Sequence, residues 1–136
     1  MSQQNEQFDE IFDVLVVGSG CGGLTAALTA DIASPAKVLV IEKSHLIGGT
    51  SATSGGVIWI PDNHLGKEKG AEDSIAEAKQ YLQATIPEDE FNEPLIDTYL
   101  DQGPKMVKFM EDNTDARYTS LEHYPDYFQD APGVKL

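Results

Sequence analysis

Two short apolar runs, separated by a helical pattern, stand out in the first third of the chain. The first run, DVLVVG, covers residues 13–18, and the second, KVLVIEK, covers residues 37–43. Both are rich in β-branched residues, which is typical of parallel strands buried on both faces. Between them, apolar residues recur at helical spacing until Ser34 and Pro35 end the pattern. The order strand, helix, strand predicts a βαβ unit with a right-handed crossover.

The rest of the chain shows helical and loop patterns. We expect residues 44–66 to form a loop that contains one apolar segment, VIWIP. Ser74 predicts the start of a helix, and a second helix is expected from about residue 92 to residue 102. A third helix is expected to begin at Pro104, because proline is favourable in the first turn of a helix. The patterns together predict an α/β fold, with a βαβ unit followed by helices.

The charge and the N-terminus exclude some partners and locations. The chain has 23 acidic and 9 basic side chains and a formal net charge of −14, so we predict no nucleic-acid partner. The first residues, MSQQNEQFDE, lack the basic and apolar regions of a secretory signal, and no apolar run is long enough to span a bilayer. We expect a cytoplasmic protein with a disordered stretch at residues 1–11, while residues 12–136 form the N-terminal part of a domain.

A glycine motif follows the first apolar run. Residues 18–23, GSGCGG, fit the pattern G-x-G-x-x-G. Its first glycine permits a tight turn, its second lets the backbone approach a pyrophosphate, and its third lets the helix pack close to the sheet. Glu42 lies at the end of the second predicted strand, where its carboxylate can accept hydrogen bonds from ribose hydroxyls and disfavours a 2′-phosphate. These features predict a Rossmann-like dinucleotide-binding unit; the alternative is a glycine-rich turn in an ordinary α/β domain.

A second glycine-rich stretch, GGTSATSGG, covers residues 48–56. Its backbone N–H groups and hydroxyls can bind phosphate oxygens or ribityl hydroxyls, and its last glycines can lie against a flat ring. A protein that also binds the second half of a dinucleotide needs such a loop, and flavin fits the loop better than nicotinamide does. The alternative is a flexible linker of glycine and serine, but the segment VIWIPDN directly after the stretch argues against a linker.

The predicted cofactor-binding residues lie in the first loop, at the end of the second strand and in the second glycine-rich stretch. They are Gly18, Ser19, Gly20, Gly22, Gly23, Glu42, Lys43, Gly49, Thr50, Ser51, Ser54, Gly55 and Gly56. The predicted cofactor is FAD, and no metal site is predicted.

Four segments resemble a known enzyme family. DVLVVGSGCGGLTAALTA, VLVIEK, GGTSATSGGVIWIPDN and YPDYF are similar to FAD-dependent 3-ketosteroid dehydrogenases, most of all to the Δ1-dehydrogenases, within the fumarate-reductase-like flavoproteins. The resemblance implies that two hydrogens leave the A ring of a 3-keto steroid: a tyrosine takes a proton and flavin N5 accepts a hydride. It also implies that Tyr127 supports this tyrosine base by hydrogen bonding, because a phenol is a poor base at its usual pKa. From the residues alone, a packed aromatic is the favoured interpretation of Tyr127.

The resemblance also bears on how flavin is attached and on how much of the enzyme is present. Family members that bind flavin covalently carry a His at the position that Gly49 fills here, so the resemblance implies noncovalent FAD. Members are several times longer, so we expect this chain to be an N-terminal portion and incomplete as an enzyme. The alternatives are a fumarate-reductase-like flavoprotein, or an inert fragment that binds only the adenosine half of FAD.

Overall fold

The chain divides into two compact units, Met1–Val57 and Ile58–Leu136, called unit 1 and unit 2 below. The structure, a computed structural model, describes residues 9–136. The predicted disordered N-terminus therefore falls largely on residues that lie outside the described part of the chain.

Unit 1 contains the predicted βαβ arrangement. Its elements are, in chain order, β1 (Val14–Val17), α1 (Cys21–Ala33), β2 (Val38–Ile41) and α2 (Gly49–Thr53). The two strands are parallel and in register, so that Val14 pairs with Val38 and Val17 pairs with Ile41. Both strands consequently end at the same edge of the sheet, with Glu42 directly after one of them. The strand and helix predictions for this region are confirmed.

The two faces of this sheet differ in burial. α1 packs against both strands. Val14 and Val16 are partly buried, whereas Leu15 and Val17, which alternate with them, are 58% and 77% exposed. The prediction that the strands are buried on both faces is therefore wrong for β1, whereas the β2 residues before Ile41 are partly buried.

Unit 2, residues 58–136, contains three helices, and its last segment, residues 114–136, is irregular. Its helices are α3 (His64–Glu68), α4 (Ile75–Thr85) and α5 (Glu93–Asn113). Ser74 caps the start of α4: its Oγ accepts from the Glu77 N–H and also donates to the Glu77 carboxylate. The core of the unit lies between α4 and α5, and its buried side chains are Ala78, Tyr81, Leu100, Val107 and Met110.

Pro104 lies inside α5, where the sequence predicted a break between two helices. An internal proline removes one backbone hydrogen bond and costs about 3 kcal/mol. Leu100, Val107 and Met110 share one face of α5 on both sides of the proline, and they are 1%, 2% and 5% exposed. Burying each such side chain stabilises the fold by roughly 1.5–3 kcal/mol, so packing outweighs the proline and the helix is continuous. None of the helices within residues 9–136, α5 included, has the apolar length that crossing a membrane requires.

The predicted loop at residues 44–66 contains two short helices. α2 occupies part of the second glycine-rich stretch, and α3 begins at residue 64. Asn63 caps α3, since its side-chain oxygen accepts a hydrogen bond from the Gly66 N–H at 3.0 Å. This asparagine is a helix-start signal that the loop prediction overlooked. α2 has no such cap, because its N-cap is Gly48.

Candidate functional site

The first glycine loop makes a tight turn from β1 into α1. Gly18 has a φ of +98°, in the left-handed region that favours glycine. A Cβ on Gly23 would lie 2.1 Å from the Gly18 carbonyl oxygen. The turn therefore closes only with glycine at both positions, and these are the roles predicted for the first and third glycines of the motif.

The N-terminus of α1 offers backbone donors to a ligand. Gly20 is the N-cap and makes no side-chain capping bond, and the first N–H groups of a helix have no partner within the helix. A Cβ on Gly22 would meet no atom within 4 Å, so the backbone there faces open space. A helix N-terminus favours negative charge. The residues present at this end of α1 therefore fit the pyrophosphate of a dinucleotide.

Two hydrogen bonds join the second glycine-rich stretch to the first loop. The Gly48 N–H donates to Ser19 Oγ at 2.9 Å. The Cys21 N–H donates to Ser51 Oγ at 3.1 Å. The structure thus places side by side the two stretches that the sequence predicted to hold one ligand.

Glu42 borders the same loops at the end of β2. Its Oε2 accepts from the Ser19 N–H at 3.0 Å and from the Ser19 hydroxyl at 2.6 Å, and its Oε1 accepts from the Ser44 N–H at 2.9 Å. These hydrogen bonds, with the Ser19 hydroxyl as the largest cause, lower the pKa of Glu42 to about 2. A carboxylate has roughly four acceptor positions, so about one remains for a ribose hydroxyl.

The remaining predicted residues have different surroundings. Ser54 Oγ donates to the Ser51 carbonyl and accepts from the Gly56 N–H, so it shapes the turn that follows α2. A Cβ on Gly55 or on Gly56 would meet no atom within 4 Å, so both backbones face open space. The other predicted residues of this group, Lys43, Gly49 and Thr50, are exposed.

Two residues that the sequence did not single out take part in the site. Gly48 and Ser44 donate backbone N–H groups to Ser19 and Glu42. Every residue except proline carries such a donor, so the identity of the side chain gives no signal for this role.

Tyr127, the predicted catalytic residue, lies in unit 2. Its side chain is 84% exposed. The residues on either side of it are held: the Asp126 carboxylate accepts from the Trp59 indole N–H at 2.8 Å, and the Phe128 N–H donates to the Tyr81 hydroxyl at 3.2 Å. The phenol of Tyr127 therefore projects from a fixed backbone.

A second phenol and an open depression lie next to Tyr127. The neighbouring Tyr127 phenol raises the pKa of Tyr124 above its usual value. The depression, of about 550 Å³, lies between Ala84 and Thr85 at the end of α4 and residues 127–131. This part of unit 2 consequently presents both hydroxyl groups and space beside them.

The sequence has close relatives among known proteins. It is 43% identical over 123 residues to the 4-oxocyclohexanecarboxylate 2-dehydrogenase of Sinomonas cyclohexanicum, covering 90% of this chain and 21% of that protein. It is also 43% identical over 124 residues to the 3-oxosteroid 1-dehydrogenase of Mycolicibacterium smegmatis, covering 91% of this chain and 21% of that protein. The chain thus spans about a fifth of the length of these curated relatives.

A solved structure and a family match agree with these relatives. The crystal structure of 3-ketosteroid delta1-dehydrogenase from Sterolibacterium denitrificans in complex with 1,4-androstadiene-3,17-dione has a TM-score of 0.81 and 42% identity to this chain. The match covers 91% of this chain and 21% of that one. Residues 13–132 match the family described as FAD binding domain. The α/β fold, the FAD cofactor and the resemblance to 3-ketosteroid dehydrogenases are thereby confirmed. The chain belongs to the FAD binding domain family.

Proposed function

We propose that this chain supplies the adenosine- and pyrophosphate-binding part of the flavin site in a dehydrogenase that acts on the A ring of a 3-keto steroid. The observation that carries the proposal is the joining of the two glycine stretches beside Glu42. Ser19 and Ser51 connect these stretches through hydrogen bonds of 2.9 and 3.1 Å. A glycine loop in an ordinary α/β domain has no need of a second loop held against it.

Each part of this arrangement has a proposed contact with the cofactor. The pyrophosphate takes the N–H groups of the first turn of α1 other than that of Cys21, which already donates to Ser51, and a ribose hydroxyl takes the remaining acceptor of Glu42. The ionised carboxylate repels a 2′-phosphate, so FAD is preferred to NADP. Gly49 has no side chain that can bond to flavin, which supports noncovalent attachment.

The proposed chemistry divides between the cofactor and the protein. FAD, when bound, supplies an acceptor for the hydride at N5. Tyr127 presents its phenol to the tyrosine base that removes the proton, which is a tyrosine other than Tyr124. A phenol has a pKa near 10 when unperturbed, so a base of this kind needs a hydrogen-bonding partner to act near neutral pH. Two observations favour this role of Tyr127: its side chain is exposed, and the adjacent Asp126 is held by a hydrogen bond from the Trp59 indole N–H.

The substrate class is inferred from the relatives. One acts on a 3-oxosteroid and another on 4-oxocyclohexanecarboxylate, and both substrates carry a ketone on a six-membered ring. We infer a cyclic ketone, and favour a 3-keto steroid because the structural relative contains an androstadienedione.

Binding of FAD to the full 136-residue chain tests the proposal. Titration with the chain is expected to quench the fluorescence of FAD, and an excess of NADP is expected to leave FAD bound. Acid denaturation is expected to release all flavin into the supernatant. A chain that leaves FAD fluorescence unchanged would refute the proposal, and flavin that stays with the denatured protein would refute noncovalent attachment.

A second candidate function is FAD binding without turnover. The chain spans about a fifth of its relatives, which favours a binding role for this chain taken alone. Dye reduction by the FAD-loaded chain, with a 3-keto steroid as electron donor, separates the two functions. Steroid-dependent reduction supports the dehydrogenase, whereas an FAD-loaded chain that does not reduce the dye supports the binding role.

A further inference from the structure

Ser19 is enclosed by protein although it lies in the middle of the first glycine loop. Its residue is 2% exposed. Its hydroxyl donates to Glu42 Oε2 at 2.6 Å and accepts from the Gly48 N–H at 2.9 Å. A serine hydroxyl has a single hydrogen to donate, and here the carboxylate takes it. Ser19 therefore has no donor left for a phosphate or a ribose.

The hydrogen bonds from Ser19 to Glu42 fix the orientation of the Glu42 carboxylate. Both the hydroxyl and the N–H of Ser19 bind the same carboxylate oxygen, which leaves the other oxygen turned toward the Ser44 N–H. The Ser19 hydroxyl is also the largest cause of the low pKa of Glu42. Because this pKa is lowered from 4.5 to about 2, Glu42 stays ionised until the pH falls toward 2. The stability that its hydrogen bonds contribute is fully present above pH 4.5 and is lost as the pH falls toward 2.

The hydrogen bond from Gly48 positions the second glycine-rich stretch. Gly48 is the N-cap of α2, and Ser51 within α2 makes the second bond to the first loop. The second glycine stretch is thus attached at two points, on either side of Gly20 in sequence. Loss of the Ser19 hydroxyl removes one of these two points and, at the same time, the strongest partner of Glu42.

We propose that Ser19 is a positioning residue: its hydroxyl aligns the Glu42 carboxylate and the second glycine stretch for the adenosine half of FAD without contacting the cofactor. The inference rests on the proposed flavin site. It changes the role of Ser19 from a cofactor ligand, as the glycine motif predicted, to a link between Glu42 and Gly48, the groups that flank the cofactor.

Ser19→Ala tests this role, with Ser34→Ala as the matched control. Ser34 is an exposed serine of unit 1 at the end of α1, away from the glycine loops. FAD affinity is measured by fluorescence titration between pH 6.5 and 4.5. Ser19→Ala is expected to bind FAD roughly tenfold more weakly at pH 6.5, since it loses a hydrogen bond to a charged group. Ser34→Ala is expected to match the wild type.

The pH dependence separates positioning from mere packing. Wild-type affinity is expected to stay constant over this pH range. Affinity of Ser19→Ala is expected to fall further toward pH 4.5, because the pKa of Glu42 returns toward its usual value. In the double variant Ser19→Ala/Glu42→Gln this added fall is expected to disappear, because no carboxyl is left to titrate. Ser19→Cys, with a side chain of similar size and a weaker donor, is expected to show the same effects to a smaller degree.

Each other outcome overturns the inference. Wild-type affinity in Ser19→Ala would show that the link is not needed. Weak binding with a flat pH profile, in both Ser19→Ala and Ser19→Cys, would show that Ser19 acts through packing alone. A wild-type chain that binds no FAD overturns the proposed function as well, so the failure of the two proposals can be told apart.

Discussion

Replacement of Asp126 by alanine removes two hydrogen-bond acceptors from unit 2. Asp126 Oδ1 accepts from the Trp59 indole N–H at 2.8 Å, and Oδ2 accepts from the Lys135 N–H at 2.9 Å. These bonds hold the backbone next to Tyr127 to residues that are distant from it in sequence. Their loss is therefore expected to destabilise unit 2 and to make the backbone next to Tyr127 less rigid.

The size of the effect follows from the kind of bond. A hydrogen bond to a charged group contributes about 1.5–3 kcal/mol, and both bonds are partly buried, so the low end of this range applies. The Asp126→Ala variant is expected to lose about 3 kcal/mol, and Asp126→Asn about half of that, because the amide oxygen still accepts one bond. A folded unit of 79 residues, Ile58–Leu136, has a stability of roughly 4–12 kcal/mol. The loss in the alanine variant is thus a large fraction of the total.

Urea unfolding followed by tryptophan fluorescence measures this loss. Trp59 is the only tryptophan of the chain, so the signal reports on unit 2. The urea midpoint is expected to fall in the order wild type, Asp126→Asn, Asp126→Ala, with no change in the slope m. Asp130→Ala is the control, because Asp130 is exposed in the same segment. If Asp126→Ala unfolds at the same midpoint as Asp130→Ala, the reasoning is refuted.

Two further predictions use matched pairs of substitutions. Gly23→Ala is expected to weaken FAD binding at least about tenfold in the same titration, because its Cβ would lie 2.1 Å from a backbone carbonyl oxygen. Ser34→Ala, an exposed position at the other end of α1, is expected to bind normally, and equal affinities of the two variants would contradict this account. Leu100→Ala removes a side chain that is 1% exposed and is expected to cost about 2–5 kcal/mol in urea unfolding. Leu95→Ala, at a position that is 65% exposed, is expected to cost under about 0.5 kcal/mol, and a similar cost for both would refute the assigned core.

The βαβ unit was predictable because its signals are local. The apolar runs at residues 13–18 and 37–43 and the helical spacing between them specify β1, α1 and β2 without any knowledge of distant contacts. The position of Glu42 after β2 follows in the same way. Its contact with the first glycine loop was implied by the parallel arrangement, since parallel strands bring their carboxyl ends to one edge.

The parts that the sequence did not reveal depend on tertiary contacts. Pro104 predicts a helix start when only its own preference is considered, but the burial of Leu100 and Val107 on both sides of it decides the outcome. The partners of Ser19 were equally hidden. A serine in a glycine motif resembles a phosphate ligand, and only the structure shows that Glu42 and Gly48 already occupy its hydroxyl.

The register of the sheet determines where the chain tolerates insertions and deletions. β1 and β2 pair residue for residue as far as Val17 and Ile41, and Glu42 follows directly. One residue inserted within β2 would turn the Glu42 side chain to the opposite face and move it about 3.3 Å along the strand. Residues 34–36 connect α1 to β2 outside both strands, so a change of length there leaves the pairing intact. The position of Glu42 in the site is therefore set by the end of β2, and the number of residues between Glu42 and the glycine motif is free to vary.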